Sequence, residues 1–215
     1  MESPRLTFSS AADNSRPFGS HRYDVYSPKI RRRLFLYGDL PLNGFIAIES
    51  DPEISSYCER PVVITELKPR RVVDFWVQGS RGGELWLLLR PSELKWLDRN
   101  HPPTEAFNAW AEDQALKIKL VTPESLGVGS VLLGNWGDIL RHLSANTKHT
   151  APRLVSRVLE LCRDEMSIKA LQERLPEEDP MIVRTAIYTL LHRGMLISND
   201  LIERRLSLQT SVRLK

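Results

Sequence analysis

The sequence predicts an α/β core over residues 29–126, followed by an all-α domain that ends in a short ribbon over 152–215. Three observations predict this order. Strand-length apolar stretches recur at 62–67, 72–77, 84–89 and 116–122. One helical pattern, at 104–114, separates the third from the fourth. Beyond Pro152 the apolar spacing becomes three and four residues, the period of amphipathic helices.

Each element has its own local reason. Residues 1–28 are rich in Ser, Pro, Asn and Asp and read as a disordered basic arm. Residues 30–50 leave two readings open: a helical register buries Phe45, Ile46 and Ile48, while Gly38, Pro41 and Gly44 argue against a long regular helix. Asp51-Pro52 breaks the chain. Val62–Leu67 alternates as a strand. Strands 72–77 and 84–89 follow, joined by the Gly-rich turn Gly79–Gly83. The second of these is apolar on nearly every residue, as expected of a central strand covered on both faces. Thr104 is expected to cap a helix to Gln114 with Phe107, Trp110 and Ala111 inward. LKIKLVT reads as a last strand. Residues 127–151 read as a mixed connector.

Three helices are expected next. The first puts Leu154, Val155, Val158, Leu159 and Cys162 on one face; the second is capped by Ser167, with Ile168, Leu171 and Leu175 inward. The third starts at Asp179-Pro180, buries Val183, Ala186, Ile187, Leu190 and Leu191, and stops at Gly194. MLISND and RRLSLQTSVRL then read as two short strands. Three helices and a ribbon are the plan of a winged-helix domain.

The chain has 215 residues, 41% of them hydrophobic, with five Trp: enough for one ordinary domain and a small second one. No apolar run approaches the roughly 20 residues that cross a membrane, so no membrane partner is expected. The N-terminus lacks the apolar region of a secretory signal. Cys58 and Cys162 fit no metal or redox spacing and suit a reducing, cytoplasmic setting. Net charge is only +3. Its distribution says more: residues 1–33 carry Arg5, Arg16, Arg22, Lys29, Arg31, Arg32 and Arg33 against Glu2, Asp13 and Asp24. Such an arm can neutralise phosphates or simply stay solvated, with Arg31, Arg32 and Arg33 the candidate DNA contacts.

On the third helix, removing the inward residues leaves Met181, Arg184, Thr185, Tyr188 and His192 on one stripe. In a helix-turn-helix module that stripe enters the major groove. Arg184, Thr185, Tyr188 and His192 are therefore candidate DNA contacts, with Arg204, Arg205 and Arg213 on the ribbon side for the backbone. Glu177, Glu178 and Asp179 at the helix start would repel phosphate, so a protein partner is an equal reading of that face.

The hairpin RVVDFWV–QGSRGG–ELWLLLRP carries the most specific signal. It is similar to the core of a PD-(D/E)xK nuclease, where a strand acid and an acid-x-Lys triplet hold Mg²⁺. With its neighbours it resembles the TnsA-type endonuclease subunit of heteromeric transposases across about residues 28–214. The resemblance is carried by SPKIRRRLFLYGDL, IAIESDPEISSYCERPVVI, RRVVDFWV, LLRPSEL, FNAWAEDQALKIKLVTPESL and HRGMLISNDL. It implies a restriction-endonuclease-like core with a winged helix behind it. It also implies transposon-end DNA, a DDE-type transposase and an ATP-dependent transposition regulator as partners.

Residue by residue, the implied chemistry is depleted. The family's helix Glu falls on Pro41, and the Ser usually nearby is Gly38. The strand acid is kept as Asp74, after Val73 in place of Pro. The second acid is Leu88, and the Lys is Arg90. An aliphatic carbon cannot ligate a hard cation. Glu49 and Glu84 are the carboxylates that could substitute; Glu84 lies over 10 Å from Leu88 at ~3.3 Å per strand residue.

No HExxH, P-loop or nucleophile elbow is present. Three functions follow. The first is a DNA-binding, architectural subunit that does not cut and needs no cofactor. The second is an active endonuclease using Mg²⁺ on Asp74 and Glu49 with Arg90. The third is a stand-alone winged-helix regulator.

Overall fold

The computed structural model describes residues 8–65, 70–80, 82–98, 101–114 and 116–215. Arg5 of the arm and the end of the expected Val62–Leu67 strand lie outside them. The fold is mixed α/β, and the chain divides into two units. The first comprises residues up to Val25, Arg33–Ile48 and Glu53–Leu126. The second comprises Tyr26–Arg32, Glu49–Pro52 and Gly127–Lys215.

In the chain order, strands β1 (Arg22–Ser27) and β2 (Arg32–Tyr37) pair and lead into helix α1 (Asp39–Ser50). The helical register of 30–50 thus forms from Asp39 on. Gly38, at φ +93°, makes the turn before it. Gly44 lies mid-helix because a Cβ there would stand 2.9 Å from Leu88 Cδ1 and 3.0 Å from Phe75 Cε2. The glycine lets α1 approach the sheet. Phe45 and Ile48 are buried as expected, and Ile46 only partly.

The first unit's main sheet has the order β3 (Ile54–Glu59), β6 (Phe75–Gly79), β7 (Gly82–Leu88), β8 (Ile118–Val121). β3–β6 and β6–β7 are antiparallel and β7–β8 is parallel. The described part of the expected strand 62–67 contains β4 (Val63–Ile64), paired with β5 (Arg71–Val72). The expected 72–77 strand breaks at Val73–Asp74. Strand β7 is covered on both faces. Leu85, Leu87 and Leu89 cluster with Cys58, Trp76 and Phe107, the last from α2 (Pro102–Asp113). On the opposite face Phe75 and Leu88 lie beneath α1, and Phe45, Tyr57 and Phe75 form an edge-to-face chain. Burying each such side chain contributes about 1.5–3 kcal/mol. Thr104 is not the cap of α2, since the helix starts at Pro102. The Thr104 hydroxyl instead donates to the Trp96 carbonyl at 2.8 Å.

In the second unit, the stretch read as a connector contains a sixteen-residue helix, α3 (Val131–Asn146). Ser130 caps it by accepting from Leu133 N–H, and Leu133, Trp136, Ile139, Leu140 and Leu143 are buried. Helix α4 (Pro152–Leu161) follows, then β9 (Met166–Ser167) and α5 (Ile168–Glu173), capped by Ser167. Helix α6 (Pro180–His192) is capped by Asp179, which accepts from Met181 N–H at 2.7 Å, and is stopped by Gly194 at φ +66°. β10 (Leu196–Ile197), α7 (Asp200–Glu203) and β11 (Ser211–Leu214) close the unit. β11 lies between β10 and β9, antiparallel to both.

Candidate functional site

A cleft of about 730 Å³ opens in the first unit where β6 begins and the 3-10 helix Pro91–Leu97 follows β7. Arg60, Arg70, Arg71, Arg90 and Lys95 line it, with Asp13, Glu59, Asp74 and Glu93. Asp74 ends the irregular step between β5 and β6, so its carboxyl reaches across to β7. There Oδ2 accepts from Leu88 N–H at 2.8 Å and from Arg71 Nη2 at 3.1 Å.

Arg71 is the centre of the cluster. Its Nη2 also donates to the Leu88 carbonyl at 2.9 Å and lies 3.4 Å from Glu93 Oε2. Its Nε stands 3.3 Å from Glu93 Oε1. Its Nη1 donates to the Val72 carbonyl at 2.8 Å. Glu93 is fixed in turn by Arg90 N–H at 2.9 Å, the backbone start of the 3-10 helix. The three side chains are only 10%, 13% and 14% exposed for Arg71, Asp74 and Glu93. Burial pushes the Asp74 carboxyl above its ordinary range. The Arg71 guanidinium and the Leu88 N–H oppose that shift. The arrangement is a buried cation held by two carboxylates and two carbonyls.

Leu88, at the position where the sequence resemblance expects a second acid, is fully buried, with its side chain beneath Gly44. Only its backbone serves the cluster. Arg90 is exposed on the cleft wall, and its charge pulls the Asp74 carboxyl downward. Neither substitute carboxylate joins Asp74. Glu49 is fully buried in the second unit, where it accepts from the Ser27 hydroxyl and pairs with His192 Nε2 at 2.7 Å. Glu84 accepts from Trp86 Nε1 at 2.7 Å and is paired in register with Val77. The acid that does lie beside Asp74 is Glu93. Sequence reasoning missed it, and missed Arg71, although both lie in the motifs RRVVDFWV and LLRPSEL. Among the described residues no group of three or more His, Cys, Asp or Glu is placed to hold a metal ion.

The arm is anchored at this cleft from Ala12 to Asn14. Ala12 N–H donates to the Arg60 carbonyl at 2.8 Å. Arg60 Nε donates to the Asp13 carbonyl at 2.6 Å and Nη2 to Asn14 Oδ1 at 3.0 Å. The Arg60 guanidinium stacks 4.8 Å from the Tyr37 ring centre. Arg60 has φ +44°, a strained conformation for a side chain with a Cβ, and these contacts hold it there. Arg31, also left-handed at φ +54°, and Arg32 lie at the β1–β2 turn. Arg33 lies 3.8 Å from Asp24.

Helix α6 does not present the expected outward stripe. Helices α3, α4 and α5 all pack against it. Thr185 is 0% and Tyr188 5% exposed, and His192 is turned onto Glu49. Strongly apolar residues mark only one buried side of a central helix, and Thr185, Tyr188 and His192 fill the second. Arg184 keeps partial exposure and lines a smaller cleft. Arg204 and Arg205 are exposed beyond α7, in a loop and not on a strand.

No protein-family model matches this chain, and no curated protein matches it. No helix among the described residues is long and apolar enough to cross a membrane.

Proposed function

We propose that this chain is a DNA-binding, architectural subunit of a transposition complex, built on a nuclease-like core that does not cut. One observation carries the reading. The Arg71 guanidinium lies between Asp74 and Glu93, bound to both, so a cation of the chain's own fills the space beside the one carboxylate that the nuclease resemblance keeps. A fixed organic cation neutralises the carboxylates but has no open coordination position to activate water. Leu88, packed under α1, offers no ligand.

What supports DNA as the ligand is the rest of the cleft. Arg70, Arg90 and Lys95 are cations on its wall that can meet phosphate oxygens. The mixed β3-β6-β7-β8 sheet, with α1 and α2 on opposite faces, supports a restriction-endonuclease-like core. Helices α4 to α6 with the β9–β11–β10 ribbon support a winged-helix plan in the second unit. The order of motifs supports the partners: transposon-end DNA, a DDE-type transposase and an ATP-dependent regulator. The burial of Thr185 and Tyr188 weighs against a stand-alone regulator that reads DNA through α6.

A second reading has one observation in its favour. Asp74 and Glu93 both reach the same nitrogen of Arg71, so withdrawal of that side chain would leave two carboxylates facing one space. The chain would then be an Mg²⁺-dependent endonuclease on Asp74 and Glu93.

Duplex DNA binding and cleavage, measured together with Mg²⁺ or Mn²⁺, test the proposal. Binding that weakens with salt and loses about one unit of salt slope for each of Arg70, Arg90 and Lys95 replaced by Ala supports it. A metal-dependent nick that Asp74→Ala abolishes overturns it and establishes the second reading.

A further inference from the structure

The second unit contains a cleft of about 460 Å³ between α3, α6 and the loop after α7. Asp138, Arg141 and His142 line it from α3, Arg184 and Tyr188 from α6, and Leu206, Ser207 and Leu208 from the loop. The charges are not balanced inside the protein. Arg141 Nη1 is bound to Asp138 Oδ1 at 2.9 Å, so that pair is neutral. Arg184 Nε is buried with no hydrogen-bond partner, and no ion pair to Arg184 is found among the described residues. A guanidinium has five donors, and burying one of them unsatisfied is costly unless the group serves another acceptor.

Thr185 and His142, beside Arg184, are hydrogen-bonded to each other. Thr185 Oγ1 donates to the Met181 carbonyl at 2.8 Å, so it accepts from His142 Nε2 at 2.9 Å. His142 Nε2 therefore carries a proton. The His142 ring meets Tyr188 edge-on at 5.0 Å. Tyr188 is buried and lines the cleft from α6. Ser207 adds a hydroxyl on the opposite wall.

We propose that this cleft is a phosphate-binding site, in which the Arg184 guanidinium holds the anion and the Ser207 hydroxyl on the opposite wall adds an oxygen contact. Arg141 adds charge at the rim and keeps Asp138 from repelling the ligand. The chemistry recognised is a tetrahedral oxyanion, supplied by a nucleic-acid backbone or by a free phosphate compound. The site does not depend on the nuclease-like reading of the first unit, because none of its residues belongs to that unit.

The test uses inorganic pyrophosphate as probe, titrated into the full chain by calorimetry, with Arg184→Gln, Arg184→Lys and Arg141→Ala alongside. Wild type is expected to bind saturably. Arg184→Gln should weaken it about tenfold or more, the loss of one charge-assisted contact. Arg184→Lys should retain an intermediate affinity, which separates lost charge from lost folding. Arg141→Ala, at an exposed position, should weaken binding by leaving Asp138 unpaired. No saturable binding to wild type overturns the proposal, as does equal binding to wild type and Arg184→Gln. Duplex DNA binding in the same variants distinguishes the source. If Arg184→Gln weakens both ligands, the site takes a backbone phosphate. If it weakens only pyrophosphate, the site takes a free phosphate compound. DNA binding through Arg70, Arg90 and Lys95 is then judged on those residues alone.

Discussion

Arg71 Nη2 lies 3.1 Å from Asp74 Oδ2, and the pair is held inside the first unit with both side chains nearly out of solvent. Two residues just before strand β6 thus neutralise each other. Glu93 completes the cluster from the far side, so the guanidinium is the charge that makes two buried carboxylates tolerable.

Removing that charge should be severe. Arg71→Ala leaves Asp74 and Glu93 without their common partner, and urea denaturation should show a loss of about 3–5 kcal/mol. The double variant Arg71→Ala/Asp74→Asn should recover part of it. Additive losses in the two single variants would show that the pair is not coupled.

The Glu49–His192 pair makes a parallel case in the second unit. His192→Ala removes the ion-pair partner of a fully buried carboxylate that also accepts from the Ser27 hydroxyl. Its expected cost is again about 3–5 kcal/mol, against under about 0.5 kcal/mol for the exposed Arg205→Ala. Thermal or urea melts of the two variants check the contrast.

His142 gives a pH signature. Burial lowers its pKa first, and the nearby Arg184 charge lowers it further, against the raising effect of the Met181 carbonyl. The unfolded chain therefore takes up the imidazole proton before the folded one does. This contribution to stability is present above the ordinary value of 6.5 and is lost as pH falls through the lower folded value. Denaturation midpoints from pH 8 to pH 5 should fall, and His142→Gln should flatten that part of the slope.

Cys162 is buried, and burial pushes its thiol up to about 11. At pH 8 the native protein should resist iodoacetamide at Cys162, and labelling should follow unfolding. Rapid labelling of the folded chain at that position, read by mass spectrometry, would contradict the burial of this face of α4.

Much of the fold is legible in the residues. Leu85 to Leu89 announce a strand covered on both sides, and Asp179-Pro180 and Gly194 mark both ends of α6. Helix α3 was hidden by Gly134, Gly137 and Asn135, which dilute its composition. Yet Leu133, Trp136, Leu140 and Leu143 already keep helical spacing. Asn135 is there for tertiary reasons: its amide donates to the Leu201 and Arg204 carbonyls and accepts from Leu206 N–H. The candidate site was half legible. Asp74 and Arg90 are readable from the motif, whereas Arg71 and Glu93 are not, because pairing across a strand break and a 3-10 turn leaves no fixed spacing in sequence. The outward stripe on α6 failed for a similar reason: Thr185 and Tyr188 are polar enough for a surface and are buried by α3.

The most direct test of the central claim is a calorimetric Mn²⁺ titration of wild type, Arg71→Ala and Arg71→Ala/Asp74→Asn in parallel. If Arg71 fills the cation's place, wild type shows no saturable binding, Arg71→Ala gains it, and the double variant loses it again. Saturable binding to wild type that Asp74→Asn removes would contradict the account, because the metal would then share its site with a guanidinium meant to exclude it.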